Sequence, residues 1–386
     1  MALKIDLLNP TFSQYSVLQH FTDQMSQALQ RHGVKTHLLT LDDPQIFLQQ
    51  IQEHDPNYTL SFNEIESDPQ GRFLCDLMKI PHINIIVDRP DHYFVSARGN
   101  CNNILNSRYS VLTFPDRAAC RLLESLGHTR TFFLPHAVER DLNGPVDSDR
   151  PYPITMLCSL YDYQHKEAQW KVQYPSHIIE AMEKTLHECL SNKHKPYYET
   201  FASALGLFDN GIYSPDIVQY GPPLNALEEY IRGFDRIALL RSITDVPIHL
   251  FGTTPPSADW ESYLHGQRNI TIHPPVSYDE ALAIMKQSKV LLNSSPTIYE
   301  GGHERIFTGM ACGAVVVTQE NPYLSQYYTD NRSILFRSDI TGLVIQNLLD
   351  DDKQRQSIAA EGQRITYEHH TWDHRAETLL NTLENY

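Results

Sequence analysis

The chain has 386 residues, 41% hydrophobic and 20% charged, which is typical of a globular protein of about two domains. Its formal net charge of −16 argues against a nucleic acid or an anionic membrane as partner, because both require a basic protein surface. No apolar run approaches the roughly 20 residues that span a bilayer, and the N-terminus lacks a signal peptide's apolar core, so we expect a protein that is not integral to a membrane.

The first part of the chain alternates short apolar runs with amphipathic stretches, the pattern of a doubly wound α/β domain. The predicted strands are 4–8, 36–41, 58–62, 82–87, 109–114 and 131–134. The predicted helices are 15–31, one that opens at 42–44, 71–79 and 116–127.

The loop after the fourth predicted strand combines charge, imidazole and an aromatic ring. It contains Asp88, Asp91 and His92 and lies at a strand's carboxyl end, where substrates bind in such sheets. We take these three residues as the candidates for acid/base catalysis. The alternative is a solvated loop without a function.

A stretch rich in proline, glycine and aspartate at 141–153 marks a domain boundary. It separates an N-terminal domain, 1–145, from a C-terminal domain, 146–370, in which 163–240 is a helical insertion. The predicted strands of the second domain are 154–159, 246–251, 269–273, 290–293, 314–318 and 333–336. Its predicted helices, with the last one of the chain, are 281–288, 340–349, 352–368 and one from about residue 373. The fold class that follows is α/β, with two Rossmann-like domains facing a cleft.

The most informative stretch is 294–313, SSPTIYEGGHERIFTGMACG. Apolar runs flank it, so it is predicted to form a β-loop-α-β unit of a parallel sheet. Gly301 and Gly302 allow the backbone to approach a ligand, and the free N–H groups of the following helix can bind an anion. The stretch therefore predicts a binding site for the diphosphate of a sugar nucleotide.

Other chemistries lack their motifs. The sequence contains no P-loop, no GxGxxG after the first strand, no GxSxG and no HExxH. The six cysteines form no CxxC pair and no zinc-ligand spacing with histidine, so we expect reduced thiols and a cytoplasmic protein. Because the other motifs are also missing, we expect no metal and no cofactor. What remains is group transfer from a nucleotide, in which the protein supplies positioning and charge neutralisation.

Each polar residue of the loop has a possible role and a plainer alternative. Glu300 is a further candidate catalytic residue, because it can accept hydrogen bonds from vicinal sugar hydroxyls; the alternative is an exposed loop acid. His303 and Arg305 can neutralise the leaving diphosphate, although Arg305 could instead form a surface ion pair. Glu304 and Thr308 share a helix face and could reach a ribose, although Glu304 could merely complement the helix dipole.

Residues 300–314, EGGHERIFTGMACGA, resemble the donor-site segment of GT-B glycosyltransferases and, more narrowly, the CgeB-like glycosyltransferases related to a spore-maturation protein. Further segments share the resemblance, which touches both halves of the chain but not 163–240. They are 58–63, 80–91, 134–138, 291–294 and 358–375.

The resemblance implies that the C-terminal domain binds the sugar nucleotide without a metal, that the N-terminal domain binds the acceptor, and that 371–386 crosses back to the N-terminal domain. Many relatives carry two glutamates separated by seven residues; Glu300 matches the first, Thr308 replaces the second, and Glu304 could substitute for it. The turn at 275–278 corresponds to where relatives hold the base. The predicted donor-binding residues are Gly252, Val276, Tyr278, Ser294, Glu300, Gly301, Gly302, His303, Glu304, Arg305 and Thr308.

The sequence thus predicts a metal-independent glycosyltransferase of hexosyltransferase type. Its co-substrate is expected to be a nucleotide-diphosphate sugar, with a UDP-sugar favoured, and its acceptor a protein, a glycan or a small molecule. The alternatives are a sugar-nucleotide-binding protein without turnover and a nucleotide-sugar epimerase or hydrolase on the same fold.

Overall fold

The computed structural model describes residues 2–10, 13–39, 43–63, 72–93, 107–146, 149–192, 194–338 and 341–384. The chain forms two compact units, each with a parallel six-stranded sheet, which confirms the predicted pair of Rossmann-like domains. The first unit comprises Met1–Glu139, Leu207–Pro222 and Thr371–Tyr386, and the second comprises Arg140–Gly206 and Pro223–His370.

The first sheet has the order β2-β1-β3-β4-β5-β6. Its strands are β1 (Lys4–Leu8), β2 (Lys35–Leu39), β3 (Tyr58–Phe62), β4 (His82–Ile85), β5 (Ser110–Phe114) and β6 (Thr131–Phe133). Its helices are α1 (Val17–Arg31), α2 (Pro44–His54), α3 (Leu74–Met78) and α4 (Arg117–Ser125), with 3-10 turns at Gln14–Ser16 and Pro90–Tyr93. Helix α1 begins later than predicted because Tyr15 and Ser16 have left-handed backbone angles, φ 61° and 59°.

The second sheet has the order β11-β10-β7-β12-β13-β14. The strands of the remaining chain are β7 (Tyr152–Leu157), β8 (Phe208–Asp209), β9 (Ile212–Tyr213), β10 (Ile248–Phe251), β11 (Ile270–His273), β12 (Ser288–Leu292), β13 (Val315–Thr318) and β14 (Leu335–Phe336). The helices are α5 (Tyr163–Gln173), α6 (Ser176–Ser191), α7 (Tyr197–Ala204), α8 (Gly221–Arg241), α9 (Trp260–Leu264), α10 (Tyr278–Lys286), α11 (Glu304–Ala311), α12 (Leu324–Tyr327), α13 (Thr341–Asp350) and α14 (Asp352–His369). A 3-10 turn lies at Pro215–Tyr220.

The central strands of both sheets are buried on their two faces, as helices on each side require, whereas the edge strands β2 and β11 are partly exposed. In the second sheet, the inward rows of β7, β10, β12 and β13 are aliphatic, and they form one core with α8, α9, α13 and α14. Helix α10 begins three residues earlier than predicted, because Ser277 and Glu280 form a capping box.

The division between the units differs from the predicted boundary at 145/146: it falls between Glu139 and Arg140. The expected insertion at 163–240 is also divided, because Leu207–Pro222 clusters with the first unit. The antiparallel β8–β9 hairpin in that segment was not predicted, and Tyr213 N donates to Ser125 Oγ at the end of α4 (2.8 Å).

The last helix, α15 (Trp372–Leu383), packs in the first unit against α1. The Trp372 ring lies 5.2 Å from that of Phe21 and 5.8 Å from that of Phe62. Arg31 Nε donates to Asp373 Oδ1 (2.6 Å), and Thr371 is the N-cap of the helix. Helix α15 therefore completes the first core.

Among the described helices, none is both long enough and apolar enough to cross a membrane.

Candidate functional site

The second sheet has a topological switch point between β7 and β12. The chain builds outward from β7 to β10 and β11, then returns to add β12, β13 and β14 on the other side. At such a point, the connections that leave two adjacent strands diverge, and the carboxyl edge opens into a crevice that can bind a ligand. The residues that follow β7 and β12 are therefore the first candidates for a ligand-binding site.

The predicted donor loop, 294–303, follows β12 and is held from several directions. Tyr299 is buried, and its hydroxyl accepts a hydrogen bond from Tyr197 N at the start of α7 (3.0 Å). Asn321 Nδ2 donates to Gly301 O (2.9 Å), and Asn321 Oδ1 accepts from Leu324 N (2.9 Å). Glu300 is half-buried within this fixed loop. The expanded helical region thus supports the loop, a role that its sequence did not indicate.

Two of the predicted donor-binding glycines have a packing reason to be glycine. A Cβ at Gly252 would lie 1.8 Å from Cys158 O, where the ends of β10 and β7 converge. A Cβ at Gly302 would lie 2.5 Å from Cζ of Phe307. Gly301 is buried, and its carbonyl oxygen accepts from Asn321. Close approach of protein atoms is therefore sufficient to explain Gly252 and Gly302.

Helix α11 begins with three charged or titratable side chains that contact one another. His303 Nδ1 lies 2.5 Å from Glu304 Oε2, and His303 Nε2 lies 3.3 Å from Arg305 Nη1. Arg305 Nε lies 3.7 Å from Glu304 Oε1. His303 Nδ1 also accepts a hydrogen bond from Arg305 N (3.3 Å), so His303 is the N-cap of α11. The three side chains form a closed polar group at the N-terminus of α11, where Arg305 N and Ile306 N donate to His303.

Helix α8 adds two arginines at the end of β7. The guanidinium carbons of Arg232 and Arg236 lie 4.9 and 4.8 Å from the centroid of the Tyr161 ring, and Arg236 also donates to Ser159 O. Burial lowers the pKa of Arg236, and the positive charges of Arg232 and Arg305 lower it further. Three guanidiniums therefore converge at the switch point of a chain whose net charge is −16.

The charge of Arg236 stands out in this cluster. Arg232 Nη1 donates to Glu228 Oε1 (3.1 Å), and Arg305 lies against Glu304, so each has a carboxylate beside it. Among the described residues, Arg236 makes no ion pair, and its Nε has no hydrogen-bond partner. Burying a charge without a counter-ion is strongly unfavourable. Among the described residues of the site, Arg236 is therefore a buried guanidinium without a paired carboxylate, which suits an anion.

Asp235, also on α8, accepts hydrogen bonds from side chains that follow three different strands. Its Oδ2 accepts from Ser294 Oγ after β12 (2.6 Å), from Gln319 Nε2 after β13 (2.6 Å) and from Arg337 Nη1 after β14 (2.8 Å). The predicted donor residue Ser294 is buried, and its hydroxyl supports this network.

The remaining predicted donor residues lie in or beside the first turns of α10 and α11. Val276 and Tyr278 are half-buried on either side of Ser277, which caps α10 at the carboxyl end of β11. Thr308 is only 2% exposed within α11, whereas the Glu304 side chain one turn earlier is 16% exposed. Of the pair expected near a ribose, Glu304 is thus the accessible one.

The predicted acid/base residues lie in the first unit after β4. Asp88 is exposed, and its Oδ2 accepts from Asn63 Nδ2 (2.8 Å), while Asn63 Oδ1 accepts from Val87 N. Asp91 is fully buried, and its Oδ2 lies 3.3 Å from Arg89 Nε. His92 lies in the Pro90–Tyr93 turn, and its side chain is outside the described part of the chain. The burial of Asp91 suits a supporting role better than proton transfer.

Sequence reasoning missed Tyr161, Asp235 and the two arginines of α8. A signal was present: Glu228, Arg232 and Arg236 recur at every fourth residue and so line one face of a helix. Nothing in the sequence, however, places that face at the end of β7, since the contact depends on how the helical region folds back.

Comparisons with known proteins agree with this architecture. A family model described as "Glycosyl transferase-like" matches residues 236–381, less than half of the chain. No curated protein sequence matched.

Among solved structures, the chain is similar to sucrose-phosphate synthase from Thermosynechococcus elongatus, with a TM-score of 0.55 and 11% identity over 99% of this chain and 98% of that one. It is similar to HepE from Anabaena in complex with UDP and glucose (TM-score 0.53, 12% identity, 100% of both chains). It is also similar to AviGT4, a glycosyltransferase involved in avilamycin A biosynthesis (TM-score 0.53, 12% identity, 99% of this chain and 97% of that one). These matches confirm the predicted GT-B fold.

Proposed function

We propose that the protein is a glycosyltransferase that uses a nucleoside-diphosphate sugar as donor. The observation that carries the proposal is the uncompensated charge of Arg236, flanked by Arg232 and Arg305 at the switch point of the second sheet. A diphosphate is the anion that suits three guanidiniums and a helix N-terminus together. The match of residues 236–381 to a glycosyltransferase model supports the assignment.

In the proposed reaction, the bond between the anomeric carbon and the diphosphate oxygen breaks, and the nucleoside diphosphate leaves with the electron pair. The acceptor hydroxyl bonds to the anomeric carbon and gives its proton to a base. Arg232, Arg305 and the N–H groups of α11 stabilise the charge on the leaving diphosphate, so this step needs no metal. Glu300 accepts hydrogen bonds from the sugar hydroxyls and fixes the sugar's orientation.

Several finer assignments belong to the same proposal. A UDP-sugar is favoured as donor, since the solved structure of HepE contains UDP and glucose. Transfer of a hexose, kinship with the CgeB-like enzymes and a cytoplasmic location are part of it as well. A base from the loop after β4, with Asp88 or His92 favoured over the buried Asp91, remains a prediction.

Isothermal titration of the full chain with UDP-, GDP- and dTDP-sugars tests the proposal. We expect one nucleotide class to bind. Arg305→Ala should weaken that binding about 10- to 100-fold, the effect of losing a hydrogen bond from a charged group. Glu300→Ala should abolish transfer but leave nucleotide affinity within a few-fold of the parent value.

Arg364→Ala is the matched control, because Arg364 is an exposed arginine of the same unit that pairs with Glu361 and Glu368. It should leave donor affinity unchanged. If no nucleotide sugar binds or is hydrolysed, or if Arg364→Ala weakens binding as much as Arg305→Ala, the proposal is wrong.

A second candidate, a sugar-nucleotide-binding protein without turnover, is favoured by one observation. Thr308 stands where relatives carry a glutamate, and it is buried. Product analysis across a panel of acceptors distinguishes the candidates, because a binder would release neither free nucleotide nor glycosylated product. An epimerase or hydrolase would form product without an acceptor.

A further inference from the structure

Three residues that are far apart in the sequence meet on one face of the first sheet. Asp6 of β1 and His37 of β2 are direct neighbours in the parallel register, and His54 is the last residue of α2, which packs on that face. No spacing motif links positions 6, 37 and 54, so only the fold brings them together.

The contacts between the three side chains are short. Asp6 Oδ1 lies 3.0 Å from His37 Nδ1, and Asp6 Oδ2 lies 3.1 Å from His54 Nδ1. The imidazole rings are stacked, with centroids 3.7 Å apart and planes at 19°. Both Nδ1 atoms therefore face one carboxylate group from the same side.

The electrostatics of this triad favour an additional cation. The Asp6 carboxyl group has no solvent exposure, and its two side-chain neighbours here are the imidazoles of His37 and His54. The triad also lies at the C-terminus of α2, the negative end of the helix dipole. Lys4 Nζ donates to His54 O there (2.7 Å), so this end of the helix already attracts one positive charge.

We propose that Asp6, His37 and His54 bind a divalent transition-metal ion of the zinc class. Two imidazole nitrogens and a carboxylate are ligands typical of Zn²⁺, whereas Mg²⁺ prefers oxygen. The N–O separations of 3.0 and 3.1 Å are close to the roughly 3.3 Å between ligands of a tetrahedral ion with bonds of about 2.0 Å.

Binding would require the stacked rings to splay, so that both lone pairs point at one ion. The His37 and His54 side chains are 42% and 25% exposed and can rotate toward solvent, while the buried carboxylate stays fixed. The ion would join β1, β2 and α2 and leave a coordination position for water. It would stabilise the first unit and take no part in the proposed donor chemistry of the second.

The test is calorimetric titration of Zn²⁺ into the full chain after treatment with a chelator. We expect one equivalent to bind, Mg²⁺ to fail to compete, and Co²⁺ to give the visible absorption of a tetrahedral complex. His37→Gln should weaken Zn²⁺ binding roughly 100-fold, because loss of a ligand should cost at least as much affinity as loss of a residue that only hydrogen-bonds to a ligand. Because His37 is partly exposed, this variant should fold even if Asp6→Asn does not.

His249→Gln is the control. His249 Nδ1 lies 2.9 Å from His273 Nε2 in the other unit, so these residues form a close histidine pair that contains no carboxylate. Zn²⁺ should bind to this variant as to the parent chain. Absence of saturable Zn²⁺ binding, or equal binding by the parent chain and His37→Gln, would overturn the proposal; a UDP-sugar titration of the same samples tests the donor site independently.

Discussion

At the scale of single residues, two buried arginines differ in role. Arg150 is structural, whereas Arg236 is proposed to bind a ligand. Burial lowers the pKa of Arg150 to about 10, with the charge of Arg355 adding to the effect. Arg150 donates to four backbone carbonyls, those of Pro145, Met285, Ser288 and Cys312. Arg236 donates to one carbonyl and faces two further guanidiniums. The Nε atoms of both lack partners among the described residues, so the number of acceptors and the neighbouring charges mark Arg236 for a ligand.

A buried histidine makes the stability of the first unit depend on pH. His128 is 2% exposed, and burial, with the charge of Arg130 adding to it, lowers its pKa to about 4. Between about pH 4 and 6.5, the unfolded chain binds a proton that the folded chain does not. Stability should therefore fall as the pH is lowered through this window, by up to about 3 kcal/mol.

His128→Gln should remove this contribution and flatten the dependence of unfolding free energy on pH. Urea titrations between pH 7 and 4 provide the measurement. His265→Gln, which changes an exposed histidine of the other unit, should keep the parent profile. An unchanged slope in His128→Gln would show that other groups control the acid response.

At the scale of elements, helix α8 is the part that organises the candidate site. One of its faces belongs to the core of the second unit, and another carries Glu228, Arg232, Asp235 and Arg236 to the ends of β7, β12, β13 and β14. Several glycines of the second unit allow other elements to approach one another closely.

Substitutions at these glycines should differ according to the atom that a new Cβ meets. At Gly309 of α11, the obstacle is a methyl group, Leu291 Cδ2 at 2.4 Å, which can rotate away. Gly309→Ala should cost about 1–2 kcal/mol, because overpacking outweighs the gain in helix propensity. At Gly252 the obstacle is a backbone carbonyl at 1.8 Å, so Gly252→Ala should cost more than about 3 kcal/mol or prevent folding.

Gly342→Ala on α13 is the reference, since its nearest contact is 3.2 Å. It should change stability by less than about 1 kcal/mol. Thermal unfolding of the three variants ranks them. Equal losses at Gly252 and Gly342 would mean that the strand ends can separate without penalty.

At the scale of the whole molecule, sequence patterns predicted the two parallel sheets because each strand is a short apolar run followed by a helix. The loop at 294–303 was predicted in the same way, since Gly301 and Gly302 interrupt an apolar pattern; its role in donor binding remains a prediction. The arginines of α8, the β8–β9 hairpin and the Asp6 triad were not predicted. Each depends on contacts between segments distant in sequence, which residue spacing does not encode.

The last helix supplies a test of how the chain is divided. Trp372 is 3% exposed and packs with Phe21 and Phe62 in the first core, whereas Trp170 is 1% exposed in the second unit, where its ring lies 5.5 Å from that of Tyr230. Truncating a buried tryptophan to alanine costs about 3–5 kcal/mol. Each loss should be confined to the unit whose core contains the ring.

Hydrogen exchange resolved by mass spectrometry can separate the two units. Trp372→Ala should speed exchange in α1 and β3, although both lie far from Trp372 in sequence, and leave β12 and β13 unchanged. Trp170→Ala should do the reverse. If either variant speeds exchange equally in both sheets, the two cores form one cooperative unit, and the division of the chain at Glu139, Leu207 and Thr371 does not describe its stability.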